Sequence, residues 1–189
     1  MAKRKKSERY VSRGGDKLEG ALADFKLDVA GAIAADLGAN VGGFTDCLLQ
    51  QGAKRVYSVD TGYGVLEWKL RQDERVVVME RTNALHVELP ELVDFVVIDV
   101  AWTPLHRIVS GALSLLNADG VLVALLKPQY EARDDERVKG VVKSECVDLV
   151  VSRAVDGLVG LGIIVQSQVP SGILGSGGNQ EAFLLIKKA

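Results

Sequence analysis

The sequence predicts an α/β fold, a mainly parallel sheet with an antiparallel C-terminal strand, and three observations carry that prediction. From Ala30 onward, short runs rich in Val and Ile alternate with longer stretches of helical spacing, the pattern of parallel strands joined by helices. The last two apolar runs have only a glycine-rich connection between them, so they pair antiparallel. The first run opens into a glycine-rich loop and then an amphipathic segment, "ADLGANVGGFTDCLL" over 35–49, the strand–loop–helix start of a ligand-binding sheet.

Taken in order, "SRGGDKLEGALADF" (12–25) predicts a helix packed on the sheet, and "GAIAADLG" (31–38) the first strand. A helix follows from about Gly43 to Gln51, and "RVYSVD" (55–60) is the second strand, ending in Asp60. Helical spacing in "VLEWKLRQD" (65–73) precedes a third strand, "RVVVME" (75–80), and "DFVVIDV" (94–100) is a fourth. The helix "LHRIVSGALSLLN" (105–117) leads to a fifth strand, "GVLVALLKP" (120–128). The longer helix "CVDLVVSRAVDGLVGLG" (146–162) has a glycine stop. The tail holds the two antiparallel runs, "IIVQSQVP" (163–170) and "EAFLLIKKA" (181–189), around "SGILGSGGNQ".

At 189 residues, 48% hydrophobic and 25% charged, the composition is that of one ordinary globular domain. Cys47 and Cys146 lack the paired spacing of a zinc site or a disulfide framework and read as small apolar packing residues of a reducing compartment. No apolar run is long enough to span a bilayer and no signal peptide is apparent, so the expectation is a soluble, cytoplasmic protein without a metal. The net charge of −2 conceals a basic start, "MAKRKKSERYVSR", which reads either as a phosphate-contacting arm or as a solvated terminus.

Open parallel sheets bind ligands at the carboxyl ends of their strands, where the first loop meets a helix N-terminus. Gly38, Gly42 and Gly43 lie there, in a D-x-G-x-x-x-G-G arrangement that is neither G-x-G-x-x-G nor a Walker motif. The glycines either admit a ligand close to the backbone or only make a tight strand–helix turn. Asp60, about twenty residues past the loop, is placed to accept hydrogen bonds from ribose hydroxyls. Asn83 either hydrogen-bonds near an adenine or caps the next helix. His86 and His106 lack partner motifs and read as surface or loop residues.

Six blocks in order narrow the reading: "YVSRGGDKLEGAL", "GGFTDCLLQQGAKRVYSVDTGYG", "WKLRQDERVVVMERTNA", "DFVVIDV", "LLKPQYEA" and "GNQEAFLL". Together they resemble the FtsJ-like ribose methyltransferases, in the TlyA (haemolysin A) branch, from about Tyr10 to the end. The resemblance implies a Rossmann-like fold, S-adenosylmethionine as cofactor and RNA, above all ribosomal RNA, as partner and substrate. It implies catalytic roles for Lys17, Asp99, Lys127 and Glu181, and, with the loop argument, cofactor contacts at Gly38, Asn40, Gly42, Gly43, Phe44, Asp60 and Asn83. Placement agrees: Asp99 and Lys127 close the fourth and fifth strands and Glu181 opens the reversed last one, so all three reach one rim. The bland alternative for each is a solvated strand-end charge or surface ion pair.

The chain departs from the family in two ways. "VAWTPL" follows Asp99 where a Ser-Phe pair is usual, although Trp102 keeps an aromatic face and Thr103 a hydroxyl. Before Tyr10 stands only the basic tail, residues 1–9, ahead of a methyltransferase domain over 10–189, where the family carries a small RNA-binding domain. A non-catalytic RNA-binding or ribosome-associated protein retaining the fold is the competing expectation, and an NAD-linked oxidoreductase is disfavoured by the glycine spacing.

Overall fold

The computed structural model describes residues 9–175 and 177–188; apart from Arg9, the expected basic tail lies outside them. One seven-stranded sheet organises the chain. Its strands are β1 (Ile33–Leu37), β2 (Arg55–Val59), β3 (Val76–Met79), β4 (Val93–Ile98), β5 (Leu116–Leu126), β8 (Ile164–Pro170) and β9 (Ala182–Lys187). They run in the order β3-β2-β1-β4-β5-β9-β8, parallel from β3 to β5, with β9 antiparallel to both β5 and β8. The fold class and the reversed last strand agree with the sequence prediction.

Alternation along each strand divides the core into two layers. Phe95, Val97, Val123, Leu125, Phe183 and Leu185 face helices α1 (Arg13–Phe25) and α2 (Gly43–Gln50), packing on Leu18, Leu22, Phe44 and Leu48. Val96, Ile98, Leu122, Ala124, Leu126 and Leu184 face α4 (Leu105–Ser114) and α6 (Val147–Gly160), packing on Ile108, Val109, Val150 and Leu158. At roughly 1.5–3 kcal/mol for each fully buried large aliphatic or aromatic side chain, these two layers are the main source of stability.

Several elements differ from the sequence prediction. The helix expected over 65–73 is one turn, α3 (Trp68–Arg71), because Leu66 and Leu70 turn inward to pack over the first loop. The fifth strand starts earlier, at Leu116: the last three residues of the expected helix are not helical, since Leu116 pairs with Val93 ahead of a register shift. β3 is a short, half-exposed edge strand. A two-stranded hairpin, β6 (Arg137–Val138) and β7 (Val141–Val142), has no counterpart in the sequence reading. Each strand is too short to show a period. A single-turn helix, α5 (Pro128–Glu131), begins directly after Lys127.

Candidate active site

The register of the sheet builds a rim at the carboxyl ends of the parallel strands. Leu37 pairs with Val59 on one side and Ile98 on the other, so Asp60, Gly38 and Asp99 follow as neighbours. Leu126 pairs with Ala182 of the antiparallel β9, so Lys127 and Glu181 emerge side by side at the same edge. Five predicted residues thus reach one rim by strand geometry alone, three of them, Asp99, Lys127 and Glu181, from the expected catalytic set. Lys17 reaches them from α1.

They meet as two ion pairs. Lys127 Nζ lies 2.5 Å from Asp99 Oδ1 and donates to the Val100 carbonyl at 3.0 Å. Lys17 Nζ pairs with Glu181 Oε2, and both side chains are nearly inaccessible, at 10% and 3%. The pairs are electrostatically one cluster, because Asp99 is acted on by Lys127, Lys17 and Glu181 together. Burial pushes the Asp99 carboxyl above its ordinary value, with the Lys127 charge working against that shift.

Beside the cluster lies a cleft of about 400 Å³. Of the expected cofactor residues it is lined by Gly38, Asn40, Asp60 and Asn83, and Asp99 of the cluster also lines it; apolar walls come from Val65, Leu85 and Ile108, among others. Asp60 is fixed by two backbone donors, Asn40 N at 2.8 Å to one oxygen and Gly62 N at 2.7 Å to the other. Asn83 Oδ1 accepts from Leu85 N at 3.0 Å, so it shapes a turn of the wall, not a helix start.

Gly42, Gly43 and Phe44 are expected at the ligand, yet they do not line this cleft. A Cβ on Gly42 would strike the Leu66 and Leu70 side chains, and one on Gly43 the Ser12 hydroxyl and the Gly14–Gly15 backbone. Their lack of side chain serves the protein's own packing, with Gly42 also at φ 96°. Gly38, at φ 93°, has its missing Cβ 2.7 Å from the Asp99 carbonyl, where two strand ends converge. Phe44 is buried against Phe183, ring centroids 5.9 Å apart.

Three further residues stand at or beside the rim, of which the sequence reading noted only Trp102, for its aromatic face. Asp36, fully buried under α2, accepts from Thr45 N at 2.9 Å and Thr45 Oγ1 at 2.7 Å, supplying the acceptor that the Gly42 N-cap cannot. Burial pushes its carboxyl up to about 7, with the Thr45 bonds opposing the shift. The acid of the D-x-G signature was its only sequence signal. Trp102, 85% exposed with φ 62°, lines the cleft mouth and lies 5.4 Å from the Tyr130 ring of α5. Asn179, two residues before Glu181, is buried. His86 and His106 are exposed, as expected, and Cys47 packs inside α2, while Cys146 lies half-buried in a short 3₁₀ turn.

The sequence profile of the FtsJ-like methyltransferase family matches residues 10–186. The chain belongs to that family. It is 45% identical over 183 residues to the Bacillus subtilis protein named rRNA methyltransferase YqxC, covering 94% of this chain and 65% of that one. With the Mycobacterium tuberculosis 16S/23S rRNA (cytidine-2'-O)-methyltransferase TlyA it shares 47% identity over 130 residues, 66% of this chain and 48% of TlyA. This chain therefore spans between about half and two thirds of these curated relatives. Among solved structures, a Streptococcus thermophilus protein named as a hemolysin superposes with a TM-score of 0.91 at 41% identity, covering 98% of this chain and 70% of that one. No helix among the described residues is long and apolar enough to cross a membrane.

Proposed function

We propose that this protein is an S-adenosylmethionine-dependent RNA 2'-O-ribose methyltransferase acting on ribosomal RNA. The observation that carries the proposal is the meeting of two lysine–carboxylate pairs beside a nucleoside-sized cleft that Asp99 helps to line. Relatives named as rRNA methyltransferases, YqxC and TlyA, support the substrate class.

The residues of the cleft fit the cofactor. An adenosine offers a flat apolar base and a vicinal diol, and the cleft pairs apolar walls with Asp60, whose carboxylate is aimed by the Asn40 and Gly62 amides. Asp60 would hold the ribose, Asn40 and Gly38 the adjoining backbone contacts, and Asn83 and Leu85 the base. When bound, the cofactor supplies an electrophilic methyl group on a sulfonium.

The chain's own residues do the rest. A ribose hydroxyl is a weak nucleophile near neutral pH and needs its proton handled at the moment of attack. Lys127 is placed beside that oxygen, whose proton passes to solvent water as the new bond forms. Its ammonium is fixed by Asp99 and by the Val100 carbonyl, and it stabilises negative charge gathering on the oxygen. Asp99, whose carboxyl is raised by burial, faces that ammonium, and the buried Lys17–Glu181 pair contributes to the field around it. Trp102 and Tyr130 offer a stacking face to the base of the target nucleotide. Holding the reactants in place can itself be worth roughly 7–11 kcal/mol.

The test is transfer of tritiated methyl from S-adenosylmethionine to unmodified ribosomal RNA, with the product mapped by mass spectrometry. Label on a ribose 2'-oxygen supports the proposal. Cofactor and RNA binding without transfer favours a non-catalytic RNA-binding protein that retains the fold.

A further inference from the structure

Between Glu131 and Cys146 the structure builds the β6–β7 hairpin and fastens it to both halves of the charge cluster. Its two strands flank a two-residue loop, Lys139–Gly140, with φ values of 51° and 80°, the left-handed pair of a type I′ turn. Asn, Asp or Gly suits the first position of such a turn; a lysine there costs about 1 kcal/mol. That cost places an ammonium at the tip.

Two anchors hold the hairpin. Arg137 Nη1 donates to the carbonyl of Gln129, two residues after Lys127, at 3.0 Å. Asn179, 3% exposed and two residues before Glu181, accepts from Val142 N at 2.9 Å through Oδ1 and donates to the Gly140 carbonyl at 3.1 Å through Nδ2. One buried amide therefore satisfies both sides of the hairpin, and a short stretch of chain joins it to Glu181. The acids at the hairpin base are largely engaged. Glu136 is held bidentately by Arg153 and Asp134 by Arg137, which leaves Asp135 and, beyond β7, Glu145 at the Ser144 hydroxyl. Lys139 and Lys143 are exposed and have no carboxylate partner among the described residues.

We propose that this hairpin is an RNA-backbone arm: Lys139 and Lys143 engage phosphates of the strand flanking the ribose at the rim, and Asn179 keeps the arm in register with Glu181. The inference rests on the ribose methyltransferase reading and adds to it where the strand runs. Phosphate contacts of this kind position a nucleic acid without reading its sequence. Each releases counterions on binding, so the arm has a salt signature of its own.

The experiment titrates the full chain with unmodified ribosomal RNA, transcribed in vitro, at several salt concentrations. It compares wild type, the double variant Lys139→Ala/Lys143→Ala, and Lys54→Ala, an exposed control at the opposite end of β2. The double variant is expected to bind RNA roughly tenfold more weakly at low salt, with a log–log salt slope shallower by about 1.4, two single-strand phosphate contacts. Its calorimetric affinity for S-adenosylmethionine and the behaviour of Lys54→Ala should match wild type. A wild type that transfers methyl while the double variant keeps its full RNA affinity and slope overturns the arm alone. A wild type that neither binds RNA nor transfers methyl overturns the arm together with the reading beneath it. Asn179→Ala should speed hydrogen exchange at the Val142 amide and weaken RNA binding alike. Faster exchange with unchanged RNA affinity contradicts the register role.

Discussion

On the β1–β2–β3 side of the rim the cleft is lined by loop segments and by one carboxylate, Asp60, pinned by the amides of Asn40 and Gly62. On the β4–β5–β9 side stand four charged side chains delivered by four separate elements, with Lys17 and Glu181 164 residues apart in sequence. The first half is written locally, within the stretch 36–62, and the second exists only once the sheet has closed. Binding should therefore fail through local changes of chain shape, and transfer through the loss of single charges.

The sharpest way to break this contrast is Glu181→Ala. It leaves Lys17 buried without its partner, which should cost about 3 kcal/mol of stability and remove transfer, read by denaturant titration and tritium incorporation. Wild-type stability would mean that the two pairs are not a closed cluster. On the other side, Asp60→Ala should weaken S-adenosylmethionine by about 2 kcal/mol, roughly 30-fold in Kd, with folding stability changed far less. Calorimetry decides this, and an unchanged Kd removes Asp60 from the ribose site.

Gly43→Ala sharpens the boundary between ligand contact and internal packing. Its Cβ meets Ser12 and the Gly14–Gly15 backbone, so it should destabilise the α1–α2 contact by about 1–3 kcal/mol. In the protein that remains folded, cofactor affinity should be preserved. A large loss of affinity without a loss of stability would return Gly43 to the ligand.

A subtler change concerns Asp36, whose carboxyl is raised by burial from 3.8 to about 7. Its folded form binds the proton more tightly than the unfolded form. The resulting stability is fully present below pH 4 and is lost as the pH rises towards about 7. In that window Asp36 contributes a slope of up to about −1.4 kcal/mol per pH unit. Asp36→Asn should remove this component from the pH–stability curve, and an unaltered curve would show that Asp36 ionises normally.

The same division explains what the sequence disclosed. Strand order of appearance, the reversed last strand and the convergence of Asp99, Lys127 and Glu181 were legible, because strand-end residues in a parallel sheet share an edge whatever their surroundings. What Gly42 and Gly43 pack against was not, because a missing Cβ signals close approach without naming the neighbour; here the neighbours are Leu66, Leu70 and Ser12. Asn179 and the β6–β7 hairpin escaped for a related reason: two-residue strands carry no period, and a lone Asn in a glycine-rich loop resembles an ordinary turn residue. The helix expected at 65–73 shrank to one turn because Leu66 and Leu70 were needed over Gly42.

The central claim is that binding and transfer occupy adjoining halves of one rim. It is tested most directly by Lys127→Ala, measured in parallel by calorimetric titration with S-adenosylmethionine and by single-turnover methyl transfer to unmodified ribosomal RNA. The account predicts cofactor affinity within a few-fold of wild type and no detectable transfer. Transfer at a wild-type rate, or cofactor affinity lost together with it, would contradict it.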